Sequence, residues 1–202
     1  MKVVLASSSP RRAKLLKQIN LSFVVDPSDV DENGTNLPDP VDLVEHLAML
    51  KGRDVAARHK DAFIIAADTI VSLNDEILGK PEDEEDAFET LKTLSDNTHQ
   101  VYTGVFLCSV DQSGNISKEF SFTERTNVTF GALTDSEINH YISTKSPMDK
   151  AGAYGIQDDL GSLFVKRIDG DYYNVVGFPL YAFYQHVKTS FPDLSKNLFF
   201  NA

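Results

Sequence analysis

The chain has 202 residues, of which 42% are hydrophobic and 24% are charged, a composition that fits a globular protein and excludes a disordered or fibrous one. Its 30 acidic residues outnumber its 19 basic residues, and the net charge of −11 argues against long nucleic acids and membranes as partners. The single cysteine, Cys108, rules out an internal disulfide framework and suits a reducing compartment. The N-terminal apolar run is too short for a signal peptide, so we expect a cytoplasmic protein.

The predicted elements alternate between strands and helices. Apolar runs typical of strands cover Val3–Ala6, Ala62–Ala67 with its continuation Thr69–Leu73, His99–Val110 and Ser117–Phe130. Helical spacing and capping residues cover Pro10–Ile19, Val41–Arg58, the stretch from Glu82 to Leu94, Thr134–Ser143 and Pro179–Val187. We therefore predict an α/β fold with a mixed β-sheet bent into two lobes and flanked by helices. Residues 1–190 would form a single domain, and residues 191–202 a C-terminal tail.

The segment Ser7–Arg12 joins the first strand to the first helix and is suited to binding phosphate. Free N–H groups at the helix start, three serine hydroxyls and two guanidinium groups meet there. The ordinary alternative is a capped helix with two solvated arginines, but the first twenty residues contain no acid at all. We therefore predict an anion site at Ser7, Ser9, Arg11 and Arg12.

Carboxylates follow at two places that suit metal and acid–base chemistry. Asp68 comes directly after six apolar residues, at the end of a predicted buried strand, where α/β proteins commonly place their chemistry. Asp31 and Glu32 lie in a stretch, residues 26–45, that holds seven acids and no lysine or arginine. Carboxylates near an anion site are the ligands with which Mg²⁺ bridges protein and phosphate. Together with the anion site, they predict a metal-assisted nucleotide site.

Two loops add to this prediction. Gly79-Lys80-Pro81 is a rigid loop that carries one lysine near the strand of Asp68. Residues 149–157 are too rich in glycine for the interior of a helix or strand, and their glycines would allow close approach of the backbone to a ligand. No single one of these features is decisive, and the prediction depends on their combination.

Five motifs, in this order and spacing, resemble the Maf family of nucleoside triphosphate pyrophosphatases. They are S-x-S-P-R-R at the N-terminus, A-D-T-I-V, G-K-P, D-K-A-G-A-Y-G-I-Q and G-D-Y-Y-N-V-V-G-F-P-L, and the resemblance runs from about Val3 to about His186. It implies a fold similar to that of the inosine triphosphate pyrophosphatases, with the site in a cleft between two lobes. It also implies hydrolysis of a nucleoside triphosphate to the monophosphate and pyrophosphate with a divalent cation.

The resemblance further implies roles for individual residues. Asp68 matches the catalytic acid, which acts as proton acceptor and lies beside the metal, and Glu32 matches the second metal-associated carboxylate. The positions that hold phosphate are matched by Arg11, Arg12, Lys51 and Lys80. The positions that mark the branch preferring dTTP and UTP are matched by Arg12, Thr69 and Gln157. A threonine hydroxyl and a glutamine amide can complement the O4 acceptor and the N3–H donor of uracil or thymine.

The predicted reaction is attack by water on the α-phosphorus, with Mg²⁺ or Mn²⁺ held by Glu32 and Asp68. One alternative keeps the enzyme and changes the substrate to a purine or modified nucleotide, such as 7-methyl-GTP or dITP. Another, of a different class, is a nucleotide-binding regulator of cell division whose catalysis is incidental. The expected partner is the nucleoside triphosphate, without nucleic acid or membrane, and the sequence leaves room for a homodimer.

Overall fold

The computed structural model describes residues 1–32, 35, 37–157 and 160–199. The strands in this part of the chain are β1 Lys2–Leu5, β2 Val24–Val25, β3 Ala62–Leu73, β4 Glu76–Leu78, β5 Thr98–Val110, β6 Ile116–Phe130 and β7 Val165–Asp169. The α-helices are α1 Pro10–Gln18, α2 Pro40–Ala56, α3 Glu84–Leu94, α4 Asp135–Ser143, α5 Gly161–Phe164, α6 Tyr172–Val176, α7 Leu180–Ser190 and α8 Pro192–Phe199. Two short 3₁₀ helices cover Ser146–Asp149 and Ala151–Ala153.

The described strands form one mixed sheet in the order β2-β1-β3-β5-β6-β7, with β4 paired to the end of β3. β1 is parallel to both β2 and β3, whereas β3 with β4 and β6 with β7 are antiparallel pairs. The predicted α/β class with a mixed sheet and flanking helices is therefore confirmed. No helix of the described ranges is long and apolar enough to cross a membrane.

The chain divides into two compact units. The first unit contains Met1–Asp68, Thr103–Glu124 and Gly177–Ala202. The second unit contains Thr69–Tyr102 and Arg125–Val176. β3, β5 and β6 are long strands that contribute residues to both units, so each unit combines strands with the helices that cover them.

Short-range signals explain where the helices begin. Ser9 is the N-cap of α1 and Pro10 its first residue, as expected of a serine followed by proline. α4 begins with a capping box, because the Glu137 N–H donates to the Thr134 hydroxyl at 3.3 Å and the Thr134 N–H donates to the Glu137 carboxylate at 2.7 Å. Both caps agree with the sequence analysis.

α2, in the first unit, is fixed tightly against β5. Asp39 caps its start by accepting the N–H groups of Val41 and Asp42, at 2.8 and 3.0 Å. At the contact with the sheet, a Cβ atom on Gly104 would lie only 2.3 Å from the carbonyl oxygen of Val44, so only glycine permits this approach. The helix that carries Lys51 therefore has a fixed position over β5.

Several short elements of the described chain were not predicted, namely β2, β4, α5, α6, β7 and α8. β7 lies inside the glycine- and tyrosine-rich stretch 149–178, where no strand was expected, and it pairs with the end of β6. α8 occupies most of the predicted tail, and its Phe199 ring packs against Phe183 and Tyr184 of α7 with centroid distances of 5.9 and 5.2 Å. The domain boundary at residue 190 stays a prediction.

The second unit has a buried histidine. His99 is fully buried near the start of β5, and its Nε2 atom lies 2.8 Å from the hydroxyl oxygen of Tyr154. Its ring meets the rings of Phe130 and Tyr154 edge-on, with centroid distances of 5.0 and 5.3 Å. Burial lowers the pKa of His99 to about 4, because a charged imidazolium would be poorly solvated there.

We expect His99 to make the folded protein less stable as the pH falls. The unfolded chain, in which the pKa of His99 is near the ordinary 6.5, takes up the proton first. The stability is therefore complete above about pH 6.5 and is lost progressively towards pH 4. Between about pH 7.5 and about pH 5.5, this group should lower the free energy of unfolding by about 1.3 kcal/mol. Both values lie above the sequence pI of 4.8, where solubility is lowest.

Denaturant unfolding at the two pH values measures this effect. The variant His99→Gln should lack this part of the pH dependence, whereas His140→Gln, at an exposed position of α4, should keep it. Carboxylates contribute equally to all three proteins, so the difference between them isolates the histidine. An unchanged pH dependence in His99→Gln would show that His99 does not titrate differently in the folded and unfolded states.

Candidate active site

The junction between β1 and α1 holds Arg12 in one orientation. Its Nε–H donates to the carbonyl oxygen of Gly177 at 3.0 Å, and its Nη1 donates to the Ser7 hydroxyl oxygen at 3.2 Å. The Ser7 oxygen also accepts the N–H of Ser9 at 3.2 Å. Ser7 is buried, so this hydroxyl is held between two donors and its own proton is left to donate elsewhere. The predicted anion site thus contains a guanidinium group that is already oriented.

The guanidinium group of Arg12 has both negatively and positively charged neighbours. Burial lowers the pKa of Arg12, and Arg11 acts in the same direction, whereas Asp68 and Glu32 act in the opposite direction. A guanidinium group stays protonated in proteins, so Arg12 keeps its positive charge. A half-buried positive charge with protein groups on one side is well suited to an anionic ligand, since the ligand adds compensation on the side that faces solvent.

Asp68 is the seventh of the twelve residues of β3, so the expectation that it ends a buried strand was wrong, because the strand continues through Thr69 to Leu73. Its carboxylate is paired with Lys51. The Lys51 Nζ atom is 2.6 Å from Asp68 Oδ1 and 2.9 Å from Glu32 Oε2. The side chains of Lys51 and Asp68 are only 13% and 12% exposed, whereas that of Glu32 is 49% exposed. The ammonium group therefore joins a nearly buried carboxylate to one that is open to solvent.

These two carboxylates suit one kind of cation site. Because both bond to a single nitrogen atom, Asp68 and Glu32 are close enough to share a cation. Within the ranges that the structure describes, no group of three histidine, cysteine, aspartate or glutamate side chains could hold a metal. Mg²⁺ is usually bound by one or two carboxylates together with waters and substrate phosphates. The donor set therefore fits a divalent cation that is completed by a phosphate-bearing ligand.

The acidic segment before Glu32 is more neutralised than the sequence suggested. The sequence of this segment contains no lysine or arginine. In the structure, Arg58 of the turn after α2 donates to the Pro27 carbonyl oxygen at 2.7 Å and to the carboxylates of Asp29 and Asp26 at 3.2 and 3.3 Å. His59 Nε2 lies 2.7 Å from Asp26 Oδ2. The expectation of carboxylates without nearby bases was therefore wrong for this segment, because α2 and the turn after it supply the bases from a distant part of the chain.

The same contacts identify residues that the sequence analysis missed. Asp54 of α2 accepts the Ser28 hydroxyl at 3.0 Å and the Asp29 N–H at 3.3 Å. Asp54 and Arg58 thus fasten the segment that leads to Glu32, while Lys51 of the same helix pairs with Glu32 itself. The only signal in the sequence was the i, i+3 and i+7 spacing of Lys51, Asp54 and Arg58 on a predicted helix. This spacing does not reveal that their partners lie in the segment that leads to Glu32.

The remaining predicted residues belong to the second unit. Thr69 follows Asp68 directly on β3, and both Lys80 and Gln157 are exposed. The Gly152 N–H donates to the Gly79 carbonyl oxygen at 2.9 Å, which joins the G-K-P loop to the loop of residues 150–157. Within the first unit, the structure brings together Arg12, Glu32, Lys51 and Asp68; Ser7, Ser9 and Arg11 lie at the start of α1 beside them.

The fold and the first-unit site define an α/β protein in which opposed charges meet in the middle of a buried strand. The chain belongs to the Maf family, because residues 2–190 match the family model described as Maf-like protein. The resemblance inferred from the five motifs is thereby confirmed.

Relatives cover nearly the whole chain. A protein of Carboxydothermus hydrogenoformans named dTTP/UTP pyrophosphatase is 48% identical over 188 residues, which are 93% of this chain and 98% of that protein. A protein of Clostridium novyi with the same name is 48% identical over 200 residues, 98% of this chain and 100% of that protein. The Staphylococcus aureus Ham1 structure, at 20% identity and a TM-score of 0.45 over 64% of this chain and 72% of that one, is too distant to add to the assignment.

Proposed function

We propose that the protein hydrolyses nucleoside triphosphates, with dTTP and UTP preferred, to the monophosphate and pyrophosphate. The observation that carries the proposal is the nearly buried Asp68 carboxylate, paired with Lys51 and close to the oriented guanidinium group of Arg12. The relatives named dTTP/UTP pyrophosphatase support the same reaction and the same bases. They do not favour the alternatives of a purine-directed enzyme or a binding regulator.

Asp68 is the proposed proton acceptor for the water that attacks the α-phosphorus. Lys51 holds this carboxylate in one orientation through the 2.6 Å contact. A positioned base of this kind contributes about 10²–10⁴-fold to a rate. Lys51 can move from the carboxylates to a phosphate oxygen, because a lysine ammonium on its flexible stem has several donors.

Positive groups would hold the triphosphate and the leaving pyrophosphate. Arg11, Arg12, Lys51 and Lys80 are the proposed phosphate-binding cations. The hydroxyls of Ser7 and Ser9 add donors at the start of α1, where the helix dipole also favours an anion. Arg12 needs no reorientation, because its contacts with Gly177 and Ser7 already direct the guanidinium group.

Glu32 and Asp68 are the residues that would hold Mg²⁺ or Mn²⁺, since their oxygens already share one cationic partner. When bound, a divalent cation supplies neutralisation of phosphate charge and lowers the pKa of the attacking water. Arg12, Thr69 and Gln157 are proposed to select the base, with the Gln157 amide and the Thr69 hydroxyl matching the edge of uracil or thymine.

Release of pyrophosphate from a panel of nucleotides tests this proposal. UTP, dTTP, CTP, dITP and 7-methyl-GTP are compared under one set of conditions with Mg²⁺, Mn²⁺ and Co²⁺. We expect the highest kcat/KM for UTP and dTTP and no release without a divalent cation. Preference for 7-methyl-GTP or dITP would contradict the proposed bases, and tight nucleotide binding with negligible release would favour the regulator instead.

The proposal also covers the cellular compartment and the oligomeric state of the protein. Cys108 is a free, buried thiol, which supports a reducing compartment such as the cytoplasm. Burial raises the pKa of this thiol to about 12, so it is not a nucleophile for the reaction. A homodimer remains an expectation, to be measured by the mass of the protein in solution.

A further inference from the structure

The loop of residues 150–157 has a backbone that its own sequence does not favour. Gly152 has φ of 67° and Ala153, which is not a glycine, has φ of 56°. A left-handed conformation is strained for a non-glycine residue, because its Cβ atom crowds the following carbonyl oxygen. Such a conformation persists only where the surrounding structure imposes it, and it is often found in segments that contact ligands.

Three hydrogen bonds impose this conformation, all of them within the second unit. The Gly152 N–H donates to the Gly79 carbonyl oxygen at 2.9 Å. The Tyr154 hydroxyl lies 2.8 Å from His99 Nε2, and the Gly155 N–H donates to the Tyr141 hydroxyl oxygen at 3.1 Å. Other elements of the second unit therefore hold the loop at Gly152, Tyr154 and Gly155, and the Ala153 N–H donates to the Lys150 carbonyl oxygen at 3.1 Å within the loop.

The groups that hold the loop are themselves immobilised. His99 and Tyr141 are fully buried and Tyr154 is 6% exposed. The Tyr154 ring meets Phe130 edge-on at 4.8 Å, and the Tyr141 ring meets Phe164 at 5.2 Å. Aromatic side chains packed in this way have few alternative rotamers, so they are rigid supports for the backbone above them.

This support ends two residues before Gln157. Gln157 is exposed, whereas Ala153, Tyr154 and Ile156 of the same loop are buried. The loop thus presents the Gln157 amide to solvent from a backbone that is held in place. An amide that must hydrogen-bond to both a donor and an acceptor of one ligand needs such a fixed position. A small misplacement of the amide loses the hydrogen bonds that discriminate between ligands.

We propose that His99, Tyr154 and Tyr141 form a buried support that positions Gln157 and thereby sets the base selectivity of the enzyme. The three are positioning residues, since they act through the loop and not on the reacting atoms. The inference rests on the proposed function for its kinetic consequence, but the holding of the loop is independent of any activity.

Two variants, Tyr154→Phe and Tyr141→Phe, each remove one hydroxyl from the support. We expect kcat for UTP to stay within about threefold, KM for UTP to rise about tenfold, and the preference for UTP over CTP to fall about tenfold. Inorganic triphosphate, which has no base, should inhibit all variants with an unchanged inhibition constant. The control is Tyr181→Phe, the same change at a residue 71% exposed on α7.

Other results would overturn the inference. An unchanged UTP preference, or parallel weakening of UTP and inorganic triphosphate, would show that the support does not act on the base. A fall in kcat alone would indicate general damage to the fold. Amide hydrogen exchange over residues 150–157 should be faster in the two variants than in the control, and equal exchange would refute the support directly.

The same measurements separate this inference from the proposed function. If the unmodified protein releases no pyrophosphate from any nucleotide, the proposed function fails, and the exchange experiment still decides whether the hydroxyls hold the loop. If pyrophosphate is released and exchange is unchanged in both variants, only the support is wrong. Using two variants protects the test against poor folding of either one.

Discussion

Replacing Asp68 by asparagine is expected to reduce kcat by about 10²–10⁴-fold while the protein still folds and binds nucleotide. The amide has nearly the same shape as the carboxylate but cannot accept the proton of the attacking water. It also removes the charge of one of the two carboxylates proposed to hold the divalent cation, so binding of the cation should weaken. Pyrophosphate release measures the loss of turnover, and calorimetric titration with a nucleotide measures the binding that remains.

A matched control for this variant lies at the turn that ends β3. Asp75→Asn makes the same chemical change at an exposed position whose φ of 68° asparagine tolerates well. This variant should have wild-type turnover. Near-normal turnover of Asp68→Asn would instead remove Asp68 as the proton acceptor. Loss of cooperative unfolding in Asp68→Asn would point to a structural role, so thermal melting is recorded for both variants.

The parts of the fold that the sequence predicted are those with strong local signals. The six apolar residues before Asp68 indicated a buried strand, and Thr134 with Glu137 indicated a helix start. β7 was missed because its sequence, in which Lys166 and Arg167 separate Val165 from Ile168, lacks the period-2 alternation of a strand. Its pairing with the distant β6 decides its structure. α8 was missed because eight residues form a stable helix only when tertiary packing supports them.

The features of the candidate site likewise divide into those that local sequence signals predicted and those that depend on tertiary contacts. Asp68 could be found because a charged residue at the end of an apolar run is conspicuous, and the start of α1 because serines, proline and arginines combine there. The Lys51 contacts could not be found, since they depend on which face of α2 meets β3 and on the path of the segment before Glu32. Arg58 was missed for the same reason, because its partners lie about thirty residues earlier in the chain.

The second large effect is expected at Lys51, which has two charged partners and a proposed third. In Lys51→Met the stem remains and the ammonium group is lost. We expect kcat/KM for UTP to fall about 10²–10³-fold, as when one donor to a developing charge is removed. We also expect Mn²⁺ to bind about tenfold more tightly without nucleotide, because Asp68 and Glu32 then lack their shared cation. Calorimetry measures the Mn²⁺ affinity independently of turnover.

The opposite directions of these two effects distinguish a competing cation from a simple structural lysine. A lysine that only stabilised the fold would weaken metal binding and activity together when removed. The control Lys60→Met makes the same change in net charge at an exposed residue after α2, so it should alter neither quantity. Weaker or unchanged Mn²⁺ binding in Lys51→Met would mean that the ammonium group does not compete for these carboxylates. Tighter binding with lower activity would mean that Lys51 leaves the carboxylates to the metal and serves the phosphate during turnover.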